Sequence, residues 1–190
     1  MKRLSRTFFP GFRIVDLGGG VGQWLEAFCK RGFKLGYLVD LEFEMVFQSK
    51  KRWQSQADVE SLMGMVGNSE NIPIRSQTID LVVSRNSMHM WSDLRKSWEE
   101  IARILNLGGT AFIGRGYGPD LNGAIRESVK TNRKKMLEEL GNKSAEPPSP
   151  PCEEVSRVCS SAGLEVREVI PDGKCYWIFA EKKTILRPEL

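Results

Sequence analysis

The stretch VDLGGGVGQW (Val15–Trp24) constrains this chain more than any other segment. A short β-branched run, Arg13–Leu17, ends at glycines 18, 19, 20 and 22, and residues with helical spacing follow at once. Glycine reaches backbone conformations closed to other residues and sets no Cβ between chain and ligand. Such a turn lets peptide N–H groups approach a bound group, and a helix start adds positive dipole there. A tight turn with no ligand would use the same residues. A dinucleotide fingerprint needs G-x-G-x-x-G. Counted from Gly18 or Gly20, its third glycine would fall on Gln23 or Leu25, so the spacing is G-x-G-x-G with Asp16 two residues ahead.

The segments that follow repeat the pattern of a short apolar run and then an amphipathic stretch. QWLEAFCKRG has helical spacing with a stop at Gly32, KLGYLVD ends a second strand at Asp40, and Glu42 to Trp53 forms the next helix. LMGMVG is a third strand and TIDLVVS a fourth. Asp93 caps a helix to Leu105 that sets Leu94, Trp98, Ile101, Ala102 and Leu105 on one side. GGTAFIGRG is a fifth strand opened by two glycines. Strand and helix alternating at these intervals imply a parallel sheet covered on both faces. The pattern then changes to a long polar helix, Asn122–Leu140, a proline-rich loop, Gly141–Pro151, and a helix, Cys152–Ala162. Two final strands are joined through Pro171–Gly173 as an antiparallel hairpin.

Three further features gather near the glycine loop. Asp40 ends the second strand about twenty residues on, where a carboxylate accepts both hydroxyls of a ribose. GNSENIPI (Gly67–Ile74) follows the third strand, and the fourth closes at Ser84-Arg85-Asn86. In open α/β sheets ligands bind outside the carboxyl ends of the strands, at the point where strand order reverses.

These motifs resemble those of class I S-adenosylmethionine-dependent methyltransferases over nearly all of residues 12–183. VDLGGGVG is similar to the first motif of that family and LVD to the second. GNSENIPIRSQTIDLVVSRNSMHMW is similar to its GDAExLPFxxxxFDxVxSxxxLHHW segment, and RILNLGGTAFIG to RxLxPGGxxxI. GNSE is close to the GNAE form of the ubiquinone and menaquinone C-methyltransferases. The resemblance implies a Rossmann-like, doubly wound α/β sheet of seven strands in the order 3-2-1-4-5-7-6, strand 7 antiparallel. It implies one domain over residues 1–190, with its core at 12–183 and a helical insertion at 121–151.

The resemblance also implies the cofactor S-adenosylmethionine, with S-adenosylhomocysteine as product. Gly18, Gly20 and Gly22 would wrap the methionine part with Asp16 at the loop base, and Asp40 would hold the ribose hydroxyls. Asn68 would meet the adenine amino group through its side-chain oxygen, and the Ser69 N–H a ring nitrogen. The position of Arg85 meets the methionine amino group through its carbonyl; the arginine side chain departs from the small residues commoner there. Leu107 stands where the family has proline. Phe43 or Met45 packs beside adenine or belongs to the core.

A sulfonium methyl donor leaves little for covalent catalysis, so positioning dominates, with deprotonation where the acceptor needs it. His89, the only histidine, lies just past the fourth strand. With an unperturbed pKa of about 6.5 it is a candidate base, although a wall or structural contact is the preferred reading. Met88, Met90 and Trp91 favour an apolar pocket edge or core. Arg115 and Tyr117 end the fifth strand on the acceptor side, where they would meet an anionic or aromatic acceptor. A glycine-rich loop with no ligand fits them as well. About eleven residues precede the first strand, so the 121–151 insertion is the expected replacement for an N-terminal lid, or a homodimer or partner contact; a helix that merely covers the sheet edge is the other reading.

Composition decides less. Twenty-eight basic residues against 24 acidic ones give +4, short of a nucleic-acid footprint. Four cysteines without a CxxC pair suggest reduced thiols in a cytoplasmic protein and no metal site. Cys152 and Cys159 share a helix face with Val155, Val158 and Ala162, read as core, with a thiolate pair for a soft ligand such as arsenic as the other reading. No apolar run reaches membrane-span length, and the basic N-terminus lacks the apolar stretch of a secretory signal. The leading expectation is a methyltransferase acting on a small-molecule acceptor. An RNA or protein methyltransferase would instead need one continuous basic surface joining Lys50–Arg52, Arg115 and Lys130–Lys135. A non-catalytic S-adenosylmethionine-binding subunit would need an acceptor space that is filled or missing.

Overall fold

The computed structural model describes residues 11–29, 35–54, 61–118, 120–139 and 147–183. The expected stop at Gly32, the basic N-terminal stretch before Gly11 and the first half of the proline loop lie outside them. Seven strands form one sheet in the order β3-β2-β1-β4-β5-β7-β6. They are β1 (Arg13–Leu17), β2 (Leu35–Asp40), β3 (Leu62–Val66), β4 (Ile79–Arg85), β5 (Leu105–Gly114), β6 (Leu164–Asp172) and β7 (Cys175–Lys182). The first five run parallel, and β7 lies antiparallel to both β5 and β6. The expected order and the antiparallel seventh strand are both present.

The central strands read as unbroken apolar runs because both faces of the sheet are buried. Ile14, Leu81, Val83, Phe112 and Trp177 turn to one face, under α1 (Gln23–Cys29) and Trp53 of α2 (Phe43–Gln54). Val15, Val82, Ile113 and Ile178 turn to the other, under α3 (Leu94–Ile104) and α5 (Cys152–Ser161). In α3 the Asp93 carboxylate accepts the Lys96 N–H at 3.0 Å, and Trp98, Ile101 and Ala102 are buried as the spacing predicts. Cys159 and Val155 of α5 are fully buried, and burial pushes the Cys159 thiol up to about 12. That favours the core reading of this face over a thiolate pair.

Two boundaries differ from expectation. Strand β5 begins at Leu105, not at the paired glycines. Leu105 pairs with Ile79, and the register then shifts so that Leu81 pairs with Thr110. Gly108 and Gly109 therefore sit in an irregularity inside the strand, where a Cβ on Gly109 would stand 2.9 Å from the Asn106 carbonyl. The terminal hairpin is tighter than expected. Pro171 and Asp172 belong to β6, where proline is tolerated at a sheet edge, and the turn is Gly173-Lys174. Helix α4 (Gly123–Glu139) fills the expected long helix; among its residues 123–132 only Arg126 is not exposed.

Candidate active site

Parallel register brings the carboxyl ends of the strands level. Asp16 pairs with Leu38 and Val83, Asp40 with Val66, and Arg85 with Gly114. Strand order reverses between β2 and β4, on either side of β1, so a crevice opens at the end of β1. A cleft of about 300 Å³ lies there, within the range of small-ligand sites. Gly18, Asp40, Asn68 and Ser69 line it together with Asn86 and Ser87.

The glycine loop and the second-strand acid form one unit. The Gly18 N–H donates to the Val39 carbonyl at 2.7 Å, and the Gly20 N–H to Asp40 Oδ2 at 2.8 Å. Asp40 Oδ1 accepts from the Glu42 N–H at 3.0 Å, which aims the carboxylate along the cleft edge. Gly18 has φ +65°, and any Cβ there would come within 2.5 Å of Ser87 Cβ. Ser87 in turn donates to the Leu17 carbonyl at 3.2 Å and shares a hydrogen bond with Ser84 at 2.5 Å. The ends of β1 and β4 are thereby tied across the crevice.

The loop after β3 is held by α3. Arg103 donates to the carbonyls of Ile72 (2.9 Å) and Ile74 (2.8 Å) while paired with Glu100, whose carboxylate accepts the Ile72 N–H at 2.7 Å. The Arg103 hydrogen bond pulls the Glu100 carboxyl below its usual range against the opposing effect of burial. Buried Ser69 accepts from Ser97 at 2.9 Å, and the Asn68 side-chain oxygen accepts the Glu70 N–H at 3.0 Å and the Ser69 hydroxyl at 3.3 Å. That oxygen is therefore engaged inside the loop, leaving the Asn68 amide N–H groups for a ligand.

Other expected site residues stand behind the lining. Asp16 is 2% exposed, beneath Gly19; burial pushes its carboxyl up to about 7, opposed by Arg85 and reinforced by Asp40. Gly22 packs on the Trp53 indole. The Arg85 guanidinium lies over Trp24, 5.4 Å from the ring, and so turns away from the cleft. His89 is half-buried in the short 3-10 turn Met88–Met90 and is not among the cleft-lining residues. Its neighbours Met90 and Trp91 do line the cleft, while Met88 is core. Phe43 is 67% exposed and stacks on Phe47 instead.

Sequence reasoning missed Ser87 and Glu42 in the lining; Arg115 and Tyr117, which it set on the acceptor side, line a second cavity. That cavity, about 660 Å³, adjoins the end of β5 between α4 and the β6–β7 hairpin, and Asn86 lines both spaces. Asn86 takes the left-handed conformation, φ 59°, which asparagine tolerates better than most residues. Its N–H donates to the Gly114 carbonyl and its side-chain oxygen accepts the Gly116 N–H, both at 2.9 Å.

The profile of the methyltransferase domain family matches residues 15–113, from the glycine loop to the end of β5. The rice 2-methyl-6-phytyl-1,4-hydroquinone methyltransferase 2 is 34% identical over 105 residues, 53% of this chain and 28% of that protein. The ubiquinone/menaquinone biosynthesis C-methyltransferase of Hydrogenovibrio crunogenus is 30% identical over 106 residues, covering 55% and 42%. The chain thus spans less than half the length of these curated relatives. A candidate S-adenosyl-L-methionine-dependent methyltransferase from Methanococcus maripaludis superposes with a TM-score of 0.74 at 27% identity, covering 94% of this chain and 80% of that one. With this strand order, a glycine loop joined to Asp40 and a family match over more than half its residues, the chain belongs to the methyltransferase domain family, among the class I S-adenosylmethionine-dependent methyltransferases.

Proposed function

We propose that this chain transfers the methyl group of S-adenosylmethionine to a small-molecule acceptor. The observation that carries the reading is the Gly20–Asp40 hydrogen bond, which makes loop and acid a single preformed cradle. Asp40 has lone pairs left on both oxygens for the ribose hydroxyls. Gly18, Gly20 and Gly22 shape the loop around the methionine end, with Asp16 beneath it. Asn68 and Ser69 meet the adenine, and the backbone at Arg85 meets the methionine amino group. Bound there, the cofactor supplies an electrophilic methyl carbon.

The residues around it position and exclude water. Asn86 and Ser87 set the boundary between cofactor and acceptor, and Met90 and Trp91 supply an apolar edge. His89 serves as a structural contact, with no base assigned among the cleft residues. Two relatives whose names refer to quinone-type substrates favour a small acceptor. Against an RNA or protein acceptor, Lys50 and Arg52 ride on α2 over β2 and β3. Arg115 follows β5, four strand positions from β3, roughly 19 Å at the usual strand spacing. A non-catalytic subunit would have its acceptor space filled; the cavity beside Asn86 favours an enzyme. No helix among the described residues is long and apolar enough to cross a membrane. The 121–151 segment covers the acceptor or docks a second copy or partner.

Calorimetry with S-adenosylhomocysteine tests the reading. Binding should be weakened about tenfold or more by Asp40→Ala, the usual scale for hydrogen bonds to a charged group. Absence of binding by the intact chain would sink it.

A further inference from the structure

Among the described residues, Asn86 alone lines both the cleft at the end of β1 and the cavity at the end of β5. Its backbone holds φ 59°, a conformation that a residue with a side chain keeps only where its surroundings impose it. Here they do. The Asn86 N–H donates to the Gly114 carbonyl at 2.9 Å, and the next residue, Ser87, donates to the Leu17 carbonyl at 3.2 Å.

The side chain is oriented as well. The Gly116 N–H can only donate, so the atom it reaches at 2.9 Å is the amide oxygen, and the NH2 group is turned the other way. Gly116 adopts φ 130°, and a Cβ there would collide with the buried Asp172 carboxylate, which accepts the Gly118 N–H at 2.9 Å. The loop that orients the amide is thus anchored to the hairpin. Among the described residues the two amide hydrogens meet no acceptor, and the residue is exposed at the junction of the two spaces.

A neutral NH2 group at such a point has a narrow chemistry. It cannot take up a proton, so it is no base, and it lacks the charged fork that suits a carboxylate. It favours a single oxygen that carries charge, because a hydrogen bond to the ionised form of an acid stabilises that form. The neighbours suit a small conjugated molecule, with Met90 and Trp91 on the cleft side and Tyr117 and Pro171 on the other.

We infer that Asn86 donates to the oxygen of the methyl acceptor and that this acceptor is a phenol or enol, used as its anion. The inference rests on the methyltransferase reading for the word acceptor; the preference of the site for an ionised oxygen does not. The step needs no base on the chain. The acceptor's proton leaves to water, and the amide hydrogen bond raises the fraction ionised near neutral pH. With one lone pair held by Asn86, the oxygen attacks the methyl carbon through another. The C–S bond breaks, its electron pair stays on sulfur, and S-adenosylhomocysteine forms.

The test is titration with para-nitrophenol and, separately, the enol dimedone, with and without S-adenosylhomocysteine, across the pH at which each probe ionises. Affinity for at least one probe should rise about tenfold on ionisation, the scale of a hydrogen bond to a charged group. The tighter of the two identifies phenol or enol as the source, and para-nitroanisole, which cannot ionise, should show no such rise. Asn86→Asp keeps an oxygen for the Gly116 N–H and tolerates the left-handed backbone, but sets a carboxylate where the NH2 group stood. It should reverse the order, so that the neutral probe binds better than its anion. Asn86→Gly suits the same backbone without any donor and should abolish the preference. Lys174→Glu reverses a charge at the exposed hairpin turn of the same cavity; it should weaken the anion by less than about threefold and leave the order unchanged. Chemical denaturation reports that each variant folds. No binding of either probe, equal affinity for both forms in the intact chain, or a preference for the anion that survives in Asn86→Asp or Asn86→Gly would overturn the inference while leaving the cofactor reading intact. A preference that reverses in Asn86→Asp, in a chain that fails to bind S-adenosylhomocysteine, would support the donor assignment and remove the methyl-transfer reading instead.

Discussion

Two buried aspartates divide the molecule into two kinds of site. Asp16 lies under the cleft at the end of β1 and Asp172 behind the cavity at the end of β5; both are nearly inaccessible. They shift in opposite directions. At Asp16 burial dominates, Arg85 only partly offsets it and Asp40 adds repulsion, so the carboxyl rises to about 7. At Asp172 burial is overcome by Trp177, Arg126 and Gly118, and the carboxyl falls below its usual range. Burial alone does not set the charge of a buried acid; the donors supplied by distant segments do. The cofactor side is built from neighbouring strand ends and backbone bonds, and the other side from an ion pair across 46 residues of sequence.

The sharpest way to break this contrast is Asp172→Ala. It leaves a partly buried Arg126 without its anion and removes the acceptor of the Trp177 indole. Breaking such a pair costs about 3 kcal/mol, and chemical denaturation should show a loss of that size. Hydrogen exchange should rise along α4, where Arg126 is the one residue of 123–132 that is not exposed. Cofactor affinity should change far less, because the cleft shares only Asn86 with that region. An equal loss on both sides would mean the two sites are one cooperative unit.

The cleft at the end of β1, proposed above for the cofactor, was the more legible in the sequence for a physical reason. Its determinants are local: a strand, glycines and helix within a dozen residues, an acid at a strand end, and an asparagine-serine loop after the next strand. Burial on both faces makes the central strands near-continuous apolar runs, which marks them in the sequence. Asp172 and Arg126 follow no such period. An acid in a hairpin turn and an arginine in a polar helix both look solvated until the fold brings them together. Arg85 shows the same limit on a smaller scale. Its position at the end of β4 was legible, but the stacking of its side chain on Trp24 depends on how α1 crosses the sheet. The paired glycines, expected to open β5, mark an irregularity within it because Leu105 already pairs with Ile79.

A smaller effect tests Asp16 directly. Its folded pKa, about 7, lies above the ordinary value of 3.8, so the native state keeps a proton that the unfolded chain releases. Stability from this group is full below about 3.8 and is lost as pH rises through 7. Between pH 5 and 8 the loss should be on the order of 2 kcal/mol. Asp16→Asn should flatten that slope in unfolding curves, whereas Asp172 contributes nothing to it, since its lowered pKa confines its effect to acid, where stability falls as pH drops. A slope that survives in Asp16→Asn would place the titrating group elsewhere.

The smallest expected effect concerns His89. It sits in the 3-10 turn between core Met88 and cleft-lining Met90, set back from the lining itself. Positioning alone brings a nucleophile in line with the methyl carbon, and acceptors such as thiols, enolates or phenolates need little help with a proton. His89→Gln keeps much of the size and polarity of the side chain while removing the imidazole as a base. Affinity for S-adenosylhomocysteine should shift by less than about threefold, under ~0.7 kcal/mol. Single-turnover methyl transfer to an acceptor should slow by no more than that and keep its pH profile. A loss of about a hundredfold or more in transfer, with cofactor affinity unchanged, is the signature of general-base catalysis. It would move the proton chemistry from the acceptor to the chain, at the turn that carries His89.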